Sequence, residues 1–279
     1  MRIEHQFSIA GFEVSVSFPD GWDADTLLPS FRPFYGKKEG QEKALLKCTV
    51  CTSVENKAAM PSGELIENTL SDMGYVSLYK EAEGYCVTLS AEQGGTLHVM
   101  QTDRRFSTVR VYLHEEDKRA GHALSSLLRI AYSQAVLYWD AVSIHASAVY
   151  CENKAFLFMG KSGTGKSTHS SLWMKYIQGT ELLNDDNPTL RIVDGKVYAY
   201  GTPWSGKTPC YKSLSYPVGG MVRLKQAPAN RFVRQQEIEA FIALFPGCCV
   251  IHQDAELRAC LYDTLIRMVG QVPVGVLEC

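Results

Sequence analysis

Apolar and polar positions alternate with a period of two through much of the first third of the chain. Phe12, Val14, Val16 and Phe18 are separated by Glu13, Ser15 and Ser17. Tyr85, Val87 and Leu89 repeat the pattern, as do Val109, Val111 and Leu113. That period turns one face of a strand toward a core, so these segments predict β-strands. Glu92-Gln93-Gly94-Gly95 reads as a hairpin turn. About the first 120 residues therefore predict a small β-rich domain, and no catalytic constellation stands in it.

The period then changes. Leu124, Leu127, Leu128, Ala131, Ala135 and Tyr138 recur at helical spacing and predict a core-facing helix. Two apolar, β-prone runs follow, Val142–Tyr150 and Ala155–Met159, with Glu152-Asn153-Lys154 suited to a tight turn between them. A helix is expected from Ser167 to Ile177, with Leu172, Trp173, Tyr176 and Ile177 packing inward and Gly179 ending it. Beyond it come a short strand, Glu181-Leu182-Leu183, and a hairpin of Leu190–Val193 with Val197–Tyr200 across Asp194-Gly195. Leu257, Leu261, Leu265 and Met268 predict a last helix, and Pro273 precedes a final short strand. The mixture predicts an α/β protein with two domains, 1–120 and 121–279.

Composition changes this picture little. The 279 residues are 46% hydrophobic and 21% charged, enough apolar material for real cores and against disorder. The net charge of −2 offers no basic excess for nucleic acid or an anionic membrane, so neither is an expected partner. No run is long and apolar enough to span a bilayer, and Met1-Arg2-Ile3-Glu4-His5 lacks a signal-like apolar stretch. A cytoplasmic location is expected. The nine cysteines are odd in number and irregular in spacing, which fits reduced, buried thiols. Cys48 and Cys51 form a Cys-x-x-Cys with no second pair, and on a strand they would point to opposite faces.

The chemistry concentrates after Met159. Gly160-Lys161-Ser162-Gly163-Thr164-Gly165-Lys166-Ser167 fits G-x-x-x-x-G-K-[ST] without a gap, and Thr168 follows it. Glycines let the backbone turn so that several N–H groups converge on phosphate oxygens. The start of the following helix adds its dipole. Lys166 would meet the β- and γ-phosphates, and Ser167 would place its hydroxyl on a metal ion.

Asp185 and Asp186 close the short strand behind the loop. One carboxylate there can hold Mg²⁺ directly or through bound water, and the other can accept a proton from an attacking hydroxyl. The same residues in Asn184-Asp185-Asp186-Asn187-Pro188 also make good turn chemistry. His145 stands on the strand before the loop strand, in Ile144-His145-Ala146-Ser147-Ala148. A histidine among such neighbours is either a satisfied core residue or one carried to the phosphate end of the site.

His145-Ala146-Ser147-Ala148, the loop 160–168 and Leu182-Leu183-Asn184-Asp185-Asp186 together resemble the nucleotide-binding core of ATP-dependent phosphoenolpyruvate carboxykinase and, equally, of the bacterial HPr kinase/phosphorylase family. The resemblance spans about residues 140–210, and the remainder looks more like small HPr-kinase-like bacterial proteins. It implies a P-loop domain with a mixed sheet, preceded by the β-rich domain. It implies that ATP binds with Mg²⁺, or alternatively Mn²⁺. Lys166 and Ser167 would match the phosphate lysine and the metal hydroxyl. Asp185 and Asp186 would match the pair that binds metal and activates the attacking serine. His145 would match a histidine that is a metal ligand in the carboxykinase and assists catalysis in the kinase.

The chain also departs from both families. It is too short for a full carboxykinase, and that family's dicarboxylate-binding arginines are not found. Where the kinase family has an Arg-Gly-Leu-Gly segment stands Tyr200-Gly201-Thr202-Pro203-Trp204-Ser205-Gly206-Lys207. Lys207 could approach a transferring phosphoryl group, or the segment could be a packed turn. The expected activity is phosphoryl transfer from ATP to a hydroxyl, on a protein or peptide serine or on a small molecule. The alternatives are a non-catalytic nucleotide sensor or accessory protein, or a simple ATPase. An oligomer is compatible with all of them.

Overall fold

A computed structural model describes residues 1–36, 44–52 and 60–279. The chain divides into two compact units, Met1–Ala135 and Val136–Cys279. The division falls after the first long helix, whereas the periodicity placed it near residue 120.

The first unit starts with β1 (Arg2–Ile9) and β2 (Phe12–Pro19), followed by a short helix, α1 (Ala24–Leu27). Then come β3 (Leu46–Thr52), β4 (Glu64–Ser71), β5 (Gly74–Lys80), β6 (Gly84–Ser90), β7 (His98–Asp103) and β8 (Thr108–Leu113). Among the described residues they form one sheet in the order β1-β2-β3-β8-β7-β6-β5-β4. It is mixed, because β2–β3 and β3–β8 pair in parallel. The alternating segments all lie in it: Val14, Val16 and Phe18, Val87 and Leu89, Val109, Val111 and Leu113 are buried. Ala10 and Gly11 both take positive φ, the two-residue turn that matches strand twist between β1 and β2. Helix α2 (Ala120–Ala135) buries Leu124, Leu127, Leu128 and Ala131 in this unit. Tyr138 of the expected stripe falls beyond it, in a 3₁₀ turn of the second unit. Cys48 and Cys51 are both buried on β3, and all nine cysteines are thiols.

One buried polar group gives the first unit a pH dependence. His98 is 1% exposed. Its Nε2 faces Asp117 Oδ2 at 3.0 Å, and its Nδ1 accepts from the His114 N–H at 3.4 Å. Those partners fit a neutral ring with the proton on Nε2. Burial pushes its pKa below the ordinary 6.5, against the opposing pull of Asp117. The unfolded chain then binds the proton more readily, so stability is complete above pH 6.5 and falls as the pH drops below it. Urea midpoints at pH 7.5 and 5.5 should show this loss for the wild type and a flatter profile for His98→Gln. Asp117, whose pKa is held low by backbone and His98 hydrogen bonds, adds its own loss only below its ordinary 3.8.

The second unit holds β9 (Ala141–Ser143), β10 (Ala146–Cys151), β11 (Lys154–Met159), α3 (Lys166–Tyr176) and β12 (Glu181–Asn184). It continues with β13 (Thr189–Val193), β14 (Lys196–Tyr200), β15 (Ser215–Lys225), β16 (Arg231–Gln235), α4 (Glu237–Leu244), α5 (Ala255–Val269) and β17 (Val274–Glu278). The sheet order is β12-β10-β11-β15-β14-β13-β9, with β17 pairing both β15 and β16. The long β15 pairs antiparallel with β14 near its start and parallel with β11 further on. Glu152-Asn153 and Asp194-Gly195 both have positive φ and close the two expected hairpins. Helix α5 buries Leu257, Leu261, Leu265 and Met268.

Two expectations need correction. The run 142–150 is two strands: β9 pairs with β13, while β10 pairs with β11 and β12. Between them the Ile144, His145 and Ala146 N–H groups donate to the carbonyls of Pro188, Gly247 and Asp186. These long-range partners satisfy the backbone where the chain changes neighbours. Helix α3 is also less buried than its apolar residues suggest. Leu172 is 46% and Tyr176 71% exposed, and only Trp173 of the expected inward set is mostly covered, against Phe156 and Phe158.

Candidate functional site

Strand β10 is antiparallel to both β11 and β12, so β11 and β12 run parallel on either side of it. Their C-terminal ends therefore open on the same edge. The glycine loop leaves one of them and the acidic pair leaves the other. That edge of an open α/β sheet is where ligands bind by general rule.

The loop closes tightly. Gly160 has φ +154°, and a Cβ there would lie 2.4 Å from Thr164 Oγ1. Thr164 donates to the Lys161 carbonyl through its hydroxyl at 2.8 Å and its N–H at 3.2 Å. Gly165 caps α3 in the left-handed region with φ +100° and supplies no side-chain cap. Glycine at this position offers no side-chain oxygen to the first N–H groups of the helix, an arrangement that suits an anion. Ser162, Gly163, Ser167 and Thr168 are exposed at this mouth. Gln226 Nε2, from just beyond β15, donates to the Gly163 carbonyl at 3.3 Å.

Lys166 folds back over this loop, with Nζ 3.0 Å from the Gly160 carbonyl and 3.3 Å from that of Lys161. Burial lowers its pKa, and the charges of Asp186 and Asp185 oppose that shift.

The acidic turn is organised by a residue to which the sequence reading gave no role. Asn184 is fully buried. Its Oδ1 accepts from the N–H groups of Asp186 at 3.0 Å and Asn187 at 2.8 Å. Its Nδ2 donates to the carbonyls of Thr202 at 3.3 Å and Trp204 at 3.0 Å. Asparagine followed by a turn pattern is the signal that could have found it.

The two aspartates differ. Asp185 is 5% exposed; its Oδ1 accepts from Ser147 Oγ at 2.9 Å and its Oδ2 lies 3.4 Å from the Thr208 N–H. Asp186 is more open, and its Oδ1 lies 3.1 Å from Nδ1 of the half-exposed His145. Segment 205–208 crosses both acids: a Cβ on Gly206 would lie 2.9 Å from the Asp185 carbonyl and 3.4 Å from Asp186 Cβ. Lys207 is exposed at the tip of that turn, which Ser205 Oγ holds by donating to the Thr208 carbonyl at 2.7 Å. Loop, Lys166, both aspartates, His145 and the backbone of the Lys207 turn thus gather at one edge.

Among the described residues no group of three or more His, Cys, Asp or Glu side chains could hold a metal ion by itself. An open set of Ser167 hydroxyl, Asp185 and Asp186 suits Mg²⁺, which takes one or two carboxylates and completes its octahedron with phosphate and water oxygens. His145 commits Nδ1 to Asp186, so only Nε2 could serve as a ligand.

No family model and no curated protein matches the chain. Among solved structures it is similar to the Hpr(Ser) kinase/phosphatase from Coxiella burnetii, with 15% identity over 45% of this chain and 88% of that one, at a TM-score of 0.27. No helix among the described residues is long and apolar enough to cross a membrane.

Proposed function

We propose that the second unit binds ATP with Mg²⁺ and transfers the terminal phosphoryl group to a hydroxyl. The observation that carries this reading is that the glycine loop and the Asp185-Asp186 turn leave the parallel strands β11 and β12, on either side of β10, at the same edge of the sheet. The loop N–H groups and Lys166 would hold the phosphates and offset the charge that develops on them. Ser167, Asp185 and Asp186 would hold Mg²⁺, which neutralises phosphate charge when bound. The acceptor oxygen forms the new bond to phosphorus, the bond to the bridging oxygen breaks, and ADP leaves. Asp186, the more open of the two acids and the one beside His145, would take the acceptor's proton. His145, on the Asp186 carboxylate, would fix its orientation and share the proton. Lys207 would close over the phosphoryl group from the adjoining turn. The acceptor class is a protein or peptide serine or a small hydroxyl compound.

Thermal unfolding with Mg²⁺-ATP, Mg²⁺-GTP, pyrophosphate and no ligand tests the first half of this reading. At about 100 times the dissociation constant a ligand stabilises by about 2.7 kcal/mol, or about 5–10 °C for a domain of this size. A rise with one nucleotide names the donor for an acceptor screen. No rise with any of the three counts against nucleotide binding, and binding without turnover on any acceptor favours a sensor.

A further inference from the structure

Ser170 is the one fully buried residue of α3, and it is polar. Its Oγ lies 2.7 Å from Oγ of Ser147, on β10, which is itself fully buried. Ser147 in turn donates to Asp185 Oδ1 at 2.9 Å. A hydroxyl has a single proton. Ser147 gives its proton to the carboxylate, so Ser170 must be the donor in the serine pair. The direction is fixed: Ser170 to Ser147 to Asp185. The chain of bonds leaves α3 one turn beyond Ser167 and ends on the acid of the opposite strand.

We infer that Ser147 is a positioning residue of the metal–nucleotide site: its hydroxyl, oriented by Ser170 of the phosphate helix, holds the Asp185 carboxylate in register with Ser167. This rests on the proposed function. The other Asp185 oxygen, facing the Thr208 N–H, is then turned the same way in every molecule. Alanine at 147 would fill nearly the same volume, so the hydroxyl contributes direction rather than packing. Groups that orient a metal-binding carboxylate typically change metal affinity by about 10- to 100-fold.

The test is calorimetric titration with ATP in EDTA and with Mg²⁺-ATP, on the wild type and on Ser147→Ala, Ser147→Thr and Ser170→Ala. Ser147→Ala should weaken Mg²⁺-ATP by about 10- to 100-fold and leave metal-free ATP unchanged. Ser147→Thr, which keeps the hydroxyl, should restore tight Mg²⁺-ATP binding. Ser170→Ala should show a smaller loss of the same kind, because Ser147 still donates to Asp185. The inference is overturned if Ser147→Ala binds Mg²⁺-ATP like the wild type, or loses both ligands equally. If Ser147→Ala does not fold, Ser170→Ala decides: a loss confined to Mg²⁺-ATP supports the inference, and an equal loss of both overturns it. A wild type that binds neither ligand removes the nucleotide reading itself, a different result from a wild type that binds and a Ser147→Ala that does not differ.

Discussion

Lys166→Ala should unfold at one temperature whether or not Mg²⁺-ATP is present, while the wild type rises by about 5–10 °C. The side chain gives up two contacts to its own loop carbonyls, at 3.0 and 3.3 Å. It is also partly desolvated, which costs a cation free energy. Its removal should therefore shift the ligand-free midpoint little, by an amount equivalent to about 1 kcal/mol. Turnover, with whichever acceptor supports it, should fall by about 10²–10³-fold or more, the usual scale for one preorganised charge donor. Lys166→Arg should not rescue, because a planar fork cannot replace a point charge inside a closed loop. A Lys166→Ala chain that keeps the full ligand response would sink the assignment of the loop.

The residues of the loop and the acidic turn could be named from the sequence because their chemistry is local. A strand, a glycine loop and a helix start are contiguous, and Asp185-Asp186 closes the next strand. The alternating strands of the first unit were legible for the same reason, since period two is a property of one segment. Partnerships between distant segments were not. Nothing in 142–150 marks the break at Ile144-His145, because the partners that make it possible are Pro188, Asp186 and Gly247. The break matters, since it sets His145 at a strand end beside Asp186. The parallel pairings of β2 with β3 and of β3 with β8 are equally non-local. Ser147 and Ser170 read as small residues in ordinary elements, and only their 2.7 Å approach gives them a role. Lys207 could be nominated but not placed, because what sets its turn against Asp185 is a contact between distant segments.

Asn184→Ala should be the most destabilising change at the site. The side chain is fully buried, and its amide serves both sides of a turn. Alanine strips the Asp186 and Asn187 N–H groups of their acceptor and the Thr202 and Trp204 carbonyls of this donor. Each such loss costs about 1–3 kcal/mol in a dry interior, with relaxation and entering water offsetting part. A net loss of about 3–5 kcal/mol is expected, a large share of the about 5–15 kcal/mol that holds a domain together. Thermal unfolding should show it as a drop of about 10 °C in the second unit's transition. Asn184→Asp should be no milder. It keeps an acceptor for the two N–H groups but turns a second oxygen onto two carbonyls and buries a charge beside Asp185. The contrast with Lys166→Ala separates the two levels of the site. Removing the lysine would take away the proposed phosphate contact and leave the turn standing; removing the asparagine would release the turn that carries both acids. Asn184→Ala should therefore lose Mg²⁺-ATP binding together with stability, and a loss below about 1 kcal/mol would mean that the acidic turn is held by other contacts.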